Sequence, residues 1–348
     1  VFEELLRGWD GEELVVRYDE PTGTWMFVGV HSTRLGPAMG GTRLKSYASP
    51  ADALHDVLRL SGAMTMKQAA ANLPYGGGKA VLAVPEVAGG GGPPLRYAEL
   101  IEALRGTYVT AADMNTGQDD MDTIAEATSF VLGCSPERGG AGDPSIGTAL
   151  GAFHAIVAAC GHAFGSTDLT GRTVLVQGCG AVGDRLAGHL AEAGATLVLA
   201  DVDAARAAAT ATRVGGRAIE TDAVVGTPCD VFSPCATGAV LSAATIPALA
   251  CRVVAGAANN QLAEPADAER LRAAGIVYAP DYVVNAGGVI WLAGYETLGW
   301  DDATMRARLA GIGATLERVF ADAEREGITT AEAADRLALA RIQAGPDA

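Results

Sequence analysis

Lysine is nearly absent from this chain. Of the 25 basic residues among 348, only Lys45, Lys67 and Lys79 are lysine, and the rest are arginine. Positive charge as a whole is also short. The formal net charge of −16 argues against nucleic acid or an anionic membrane surface as the main partner. Aromatic residues make up only 5% of the chain, so its cores must be built mainly from small and aliphatic side chains. No run of 18 apolar residues is free of charge or turn signals, so no membrane span is expected. No basic-then-apolar leader opens the chain, and Val1 in place of Met reads as a trimmed start. The six cysteines form no CxxC pair, and no histidines stand at ligand spacing, so a bound metal is not expected. Free thiols in a cytoplasmic setting are the expectation.

Glycine, by contrast, is abundant, at 45 residues. Two of the three lysines fall inside one apolar, glycine-rich stretch, "MTMKQAAANLPYGGGKAVL" (64–82), which has no other charge. An arginine stays protonated wherever it is placed, whereas a buried lysine can titrate. The stretch therefore reads as one that needs an amine able to exchange protons.

Residues 13–31 read as two strands about a Pro-Thr-Gly turn. "SPADALHDVLRLSGAMTMKQAAA" reads as a helix with Ser49 as its cap and Pro50 in its first turn. "GGGKAVLAVP" reads as a glycine turn entering a short buried strand, and "GGGGPP" (89–94) as a flexible loop. A helix over 95–106 is followed by "TYVTAADMNT" as strand and loop, then by "DDMDTIAEATSFVLG" as an amphipathic helix. The Gly/Pro/Asp cluster in "ERGGAGDPSIGTALG" (137–151) marks a domain boundary. From about residue 170 strands and helices alternate, with helices expected at 181–194, 203–213, 239–250 and 263–274. Such alternation implies a parallel sheet covered on both faces. Residues 301–345 read as all helical.

"TVLVQGCGAVGDRLAGHLAEAGATLVLADVD" (173–203) carries strand, Gly178-x-Gly180-x-x-Gly183, helix, second strand and a closing Asp201. The glycines allow a tight turn and close approach of a pyrophosphate to the helix N-terminus. A carboxylate at Asp201 suits free ribose hydroxyls and repels a 2′-phosphate, so NAD is expected rather than NADP.

Several segments together resemble the glutamate/leucine/phenylalanine/valine dehydrogenases. They are "LGPAMGGTR" (35–43), "MTMKQAAANLPYGGGKAVL", "AADMNT" (111–116), "DMDT" (120–123), "GCGAVG" (178–183), "AGAANNQL" (255–262) and "APDYVVNAGGVI" (279–290), in that order along the chain. The phrasing is most similar to the phenylalanine branch. The resemblance implies oxidative deamination of an L-amino acid to a 2-oxo acid and ammonia, with Lys79 and Asp113 catalytic and Lys67 on the substrate carboxylate. It places Gly40 and Gly41 near the carboxylate and carbonyl oxygen, and Asn259 and Asn260 on the nicotinamide and the amino group, in an order left open. It implies cofactor contacts by Ala181, Val182, Thr148, Cys235, Ala236 and Asn285, and a homo-oligomer. It also implies an apolar side-chain pocket of Met39, Ala111, Val289 and Leu292. Met39 stands where the glutamate enzymes carry a lysine, which disfavours glutamate.

A free lysine, with a pKa near 10.4, is mostly protonated at pH 7. Burial and a neighbouring cation both favour the neutral amine, and Lys67 is expected to be that cation. Lys79 then activates water and Asp113 shuttles the amino proton. Phenylalanine is the first expected substrate, with leucine and valine close behind. A catalytically silent NAD-binding regulator is the alternative of another class. Arg43 reads as structural. The expected architecture is α/β, with two domains around a cleft. Residues 1–142 form the substrate domain, with about 321–348 packing back on it, and 143–320 form the Rossmann domain.

Overall fold

A computed structural model describes residues 2–87, 95–236 and 238–346. The "GGGGPP" loop expected at 89–94 lies outside the described residues. The chain forms two compact units, residues 1–143 with 292–299 and 338–348, and residues 144–291 with 300–337.

The first unit contains α1 (Phe2–Arg7), β1 (Glu13–Asp19), β2 (Thr24–Ser32), β3 (Ala38–Lys45), α2 (Pro50–Ala70), β4 (Gly76–Ala83), α3 (Leu95–Ala103), β5 (Tyr108–Ala112) and α4 (Gln118–Ile124). Its sheet runs β1-β2-β4-β3-β5. β1 and β4 lie antiparallel to β2, while β3 is parallel to both β4 and β5. Every residue of β4 is buried, as a strand covered on both faces must be. On one face α2 presents Leu54, Val57 and Leu58 to Phe27 and Val81. On the other, Tyr97 and Ile101 of α3 and Met121 and Ile124 of α4 close over Val28, Val30 and Leu82. Ser49 caps α2 by accepting the Asp52 amide, and Pro50 occupies the first turn, as the sequence predicts.

The three glycines before Lys79 depart from the expected turn and lie inside β4. The reason is steric. A Cβ on Gly77 would stand 2.0 Å from the Thr65 backbone nitrogen, so the bare strand lets α2 lie directly upon it. The helix predicted from "DDMDTIAEATSFVLG" stops at Ile124, because the chain beyond it extends to pair with β5. The Thr110 amide donates to Phe130 O, and the Leu132 amide to Thr110 O.

The second unit opens with α5 (Ser145–Phe164), then β6 (Thr173–Gln177), α6 (Ala181–Glu192), β7 (Thr196–Ala200), α7 (Ala204–Val214), β8 (Arg217–Ala218), β9 (Val231–Pro234), β10 (Val253–Val254), α8 (Asp267–Ala273), β11 (Val277–Tyr278) and α9 (Asp281–Val284). The chain passes back to the first unit within α10 (Gly287–Glu296), returns for α11 (Asp302–Glu326), and leaves again within α12 (Thr330–Ala344). All pairings are parallel, in the order β11-β10-β9-β6-β7-β8. This is the doubly wound dinucleotide-binding order, with its switch between β6 and β9. Residues 239–250 hold only a short 3₁₀ turn, Ile246–Ala248, in place of the expected helix. There Thr245 folds its hydroxyl back onto Val240 O, giving a side-chain-stabilised turn. The helix expected at 263–274 begins only at Asp267.

α5 is long and apolar enough by composition to cross a membrane, and half of that stretch is buried in the fold. Its small residues let α11 approach: a Cβ on Gly151 would meet Ile312 Cδ1 at 2.6 Å. α11 buries Leu309, Ile312, Leu316, Val319 and Phe320, and Phe320 stacks on His162 of α5. Residues 321–337 therefore stay with the second unit, against the expectation that the return begins near 321. From Ala338 onward the chain belongs to the first, where Ala338 packs with Leu35 and Ala69.

Candidate functional site

The first unit gathers its chemistry on the α2 side of the sheet. Lys79 occupies the middle of β4 and is 5% exposed. Its ammonium lies 2.8 Å from Asp113 Oδ1, just past the end of β5. Arg43 of β3 takes the other oxygen, with Nε 3.0 Å from Asp113 Oδ2. Between these strands Gly41 is indispensable, since a Cβ there would stand 2.8 Å from that of Asp113 and 2.6 Å from Ala112 O. Burial alone would raise the Asp113 pKa. Lys79 and Arg43 outweigh that and hold it well below the usual carboxylate range.

The structure thus joins the two residues expected to be catalytic. Lys79 pairs with Asp113, and Arg43 is a second cation on that carboxylate. Arg43, read from sequence as structural, joins Asp113 to Asp56. The available signal was its spacing: Met39, Gly41 and Arg43 alternate along β3 and so share one face. Lys67 lies half-buried in the last turn of α2. Gly40 packs against β4, where a Cβ would meet Gly78 O at 1.8 Å, and its carbonyl accepts the Tyr108 hydroxyl at 2.6 Å.

Of the expected side-chain pocket, Met39 and Ala111 lie on neighbouring strands, with Met39 opposite Val109 and Gly41 opposite Ala111. Met39 is 1% exposed, and its sulfur accepts from Gln68 Nε2 of α2 at 3.2 Å. Leu292 is buried in the first unit beside Gly133, whereas Val289 falls in the second.

The second unit carries the dinucleotide cradle. Gly178 leaves β6 with φ of +99°, in contact with Ala236 just past β9. Gly183 rests on Gly178, where a Cβ would meet the Gly178 carbonyl at 1.8 Å. Gly180 differs: nothing stands within 4 Å of an added Cβ, and it caps α6 without a side chain. Ala181 and Val182 follow it as the first residues of α6. A cavity of about 650 Å³ adjoins them, lined by Cys179, Gly180, Ala181, Asp184, Arg206 and Thr210 among others. An uncapped helix N-terminus beside open volume fits a pyrophosphate.

Asp201 ends β7 with a nearly buried side chain. Its Oδ2 accepts the Cys179 amide at 2.7 Å and its Oδ1 the Asp203 amide at 2.9 Å, so it ties the glycine turn to the following strand. Each oxygen keeps a second lone pair for a ribose hydroxyl. Asn285 Nδ2 donates to Asn259 Oδ1 at 2.9 Å, joining two of the expected cofactor residues. Asn260 takes φ of +53°, and its carbonyl accepts the Ala239 amide at 2.7 Å. Thr148 sits early in α5, its hydroxyl on Pro144 O at 3.1 Å, under Gly288. Cys235 follows β9, its amide on Gln177 O at 2.7 Å. Among the described residues no group of histidine, cysteine, aspartate and glutamate could hold a metal ion.

Residues 23–130 match the family description "Glu/Leu/Phe/Val dehydrogenase, dimerisation domain", and residues 199–346 match "Glutamate/Leucine/Phenylalanine/Valine dehydrogenase". A leucine dehydrogenase of Geobacillus stearothermophilus is 42% identical, over 98% of this chain and 93% of that protein. A valine dehydrogenase of Streptomyces albus is 42% identical over 95% of this chain and 92% of that protein. The crystal structure of L-tryptophan dehydrogenase from Nostoc punctiforme superposes with a TM-score of 0.85 at 36% identity, covering 100% of both chains. These relatives do not support phenylalanine as the first expected substrate; they do support the branched-chain alternative.

Proposed function

This chain belongs to the Glu/Leu/Phe/Val dehydrogenase family and is an amino acid dehydrogenase; from that premise we propose that it oxidatively deaminates branched-chain L-amino acids, leucine and valine foremost, using NAD. The observation that carries the reading is the Lys79–Asp113 pair, two oppositely charged proton carriers 2.8 Å apart in a nearly dry strand position. NAD, when bound, accepts the hydride from the substrate Cα.

The protein supplies proton management and binding. Asp113 takes a proton from the substrate nitrogen. In its neutral form Lys79 withdraws a proton from the attacking water and, as the ammonium, protonates the leaving nitrogen; the neutral amine then takes the carbinolamine hydroxyl proton as the carbonyl forms and releases it to solvent, and Asp113 passes its own proton to the freed ammonia. Lys67 holds the substrate carboxylate, with Gly40 and Gly41 beside it. In the second unit the α6 amides and Gly180 hold the pyrophosphate, and Asp201 the ribose, its negative charge disfavouring a 2′-phosphate. Asn259, Asn285 and Thr148 orient the carboxamide end, and Asn260 the substrate amino group.

Met39 supports the choice of substrate. A buried thioether fixed by Gln68 offers no partner for a side-chain carboxylate. The names of the two 42% identical relatives point the same way. The Nostoc tryptophan enzyme favours a second reading, a large aromatic substrate. The protein acts as a homo-oligomer through its first unit, in keeping with the dimerisation description matched there. Its six free thiols fit a reducing cytoplasm.

The test is NADH or NADPH formation at 340 nm across leucine, valine, isoleucine, phenylalanine, tryptophan and glutamate. Leucine or valine with NAD should give the highest kcat/KM. A higher value for phenylalanine or tryptophan transfers the assignment to the aromatic reading, and no turnover of any amino acid refutes the proposal.

A further inference from the structure

A run of ionised side chains threads the first unit from its surface to Lys79. Arg59 of α2 lies half-exposed, its Nη2 2.9 Å from Asp56 Oδ1. Asp56 Oδ2 takes Arg43 Nη1 at 2.9 Å and the Tyr47 hydroxyl at 2.7 Å. Arg43 then reaches Asp113 Oδ2, and Asp113 Oδ1 reaches Lys79. The signs alternate at every step, and the side chains of Arg43 and Asp56 are each only 14% exposed.

Arginine suits the third place in this run. Its planar guanidinium presents separate N–H groups at fixed angles, so Nε serves Asp113 while Nη1 serves Asp56. An ammonium is a single point charge and holds neither direction. A carboxylate with one free oxygen could rotate away from Lys79. With Oδ2 held by a group that is itself anchored on α2, Asp113 has one orientation left.

We propose that Arg43 is a positioning residue for the amino acid oxidation: bridged to Asp56, it occupies Asp113 Oδ2, so that Asp113 exchanges protons with Lys79 and the substrate nitrogen through Oδ1 alone. A proton that arrives on Oδ1 leaves from Oδ1, and Asp113 ends each turnover as the carboxylate it began as. This rests on the function proposed above. The charged groups that face Asp113 are Lys79 from β4 and Arg43 from β3, with Asp56 of α2 behind it. Arg43 and Lys79 both favour the ionised form. Removing Arg43 therefore moves the Asp113 titration upward.

The experiment compares Arg43→Gln, Arg43→Lys and Asp56→Asn in the full chain. It measures pH profiles of kcat and KM for L-leucine with NAD, and follows Asp113 by carboxyl ¹³C NMR. Arg43→Gln should lower kcat by about 10- to 100-fold. KM should move less than about threefold, and the Asp113 NMR midpoint should rise by about one pH unit. Arg43→Lys should restore the midpoint but only part of kcat, because it keeps the charge and loses the fork. Asp56→Asn should fall between the two. The proposal is overturned if the NMR midpoint stays in place in Arg43→Gln. It is equally overturned if Lys and Gln at this position lose the same activity in step with unfolding. The NMR midpoint can be read whether or not leucine is turned over. Lack of turnover in the unsubstituted protein would refute the proposed function, and an unmoved Asp113 midpoint would refute the role of Arg43.

Discussion

Asp113 accepts one cation on each carboxylate oxygen, Lys79 at 2.8 Å and Arg43 at 3.0 Å, and the three residues come from three different strand positions of one sheet. The arrangement predicts a pH dependence of stability. Asp113 is depressed in the folded state, so its contribution is complete above the unfolded value of about 3.9 and is lost as pH falls through the folded value below it. The unfolding midpoint of the unsubstituted protein should therefore exceed that of Asp113→Asn at pH 7, and the gap should narrow as pH falls below about 4. Thermal unfolding across that range checks it. A gap that holds constant in acid would show that the carboxylate charge contributes nothing.

The glycine turn offers a comparison within one motif. Gly178→Ala forces a side chain onto a φ of +99° and into Ala236, so the second unit should be destabilised outright. Gly180→Ala meets no atom, and its φ of −74° suits any residue, so the fold should be untouched. Its methyl group projects into the space assigned to pyrophosphate, and NAD binding should weaken by about tenfold or more, a loss of ~1.4 kcal/mol. Circular dichroism with calorimetric titration separates the two effects.

Gly77→Ala tests the seat of α2 on β4. The added Cβ would stand 2.0 Å from the Thr65 backbone, so helix and strand must part. The expected cost is about 1–3 kcal/mol or more, read as a fall of several degrees in the unfolding midpoint. A midpoint within about 1 °C of the unsubstituted protein would show that α2 yields freely.

Asp201→Asn bears on the choice of dinucleotide. The amide still occupies the site but no longer repels a phosphate, so the ratio of kcat/KM for NAD over NADP should fall at least about tenfold. An unchanged ratio would place the discrimination elsewhere, for instance at Arg206, whose Nη1 lies 3.8 Å from Asp201.

Much of this was legible in local sequence because its physics is local. Ser49 and Pro50 announce the start of α2, and the strand–glycine–helix–strand–Asp201 pattern announces the dinucleotide half, whose six parallel strands follow from βα alternation. What escaped is non-local. The placement of β4 between β2 and β3 depends on pairings across the chain, and the glycines of "GGGK" read as a turn because only tertiary neighbours, Ser32 for Gly76, Thr65 for Gly77 and Tyr108 for Gly78, explain them inside a strand. The helix that stops at Ile124 yields to pairing with Thr110, a tertiary partner that no periodicity reveals. Arg43 read as structural because its partners, Asp56 and Asp113, lie 13 and 70 residues away.

The account rests on Lys79 as a proton carrier rather than a fixed charge. Lys79→Arg keeps the positive charge beside Asp113 and removes an amine that can give up a proton. Turnover of L-leucine with NAD, measured at saturating substrate in a variant whose fold and NAD binding are intact, should fall by about 10² to 10⁴-fold. A Lys79→Arg protein that retains full kcat would contradict the account at its centre.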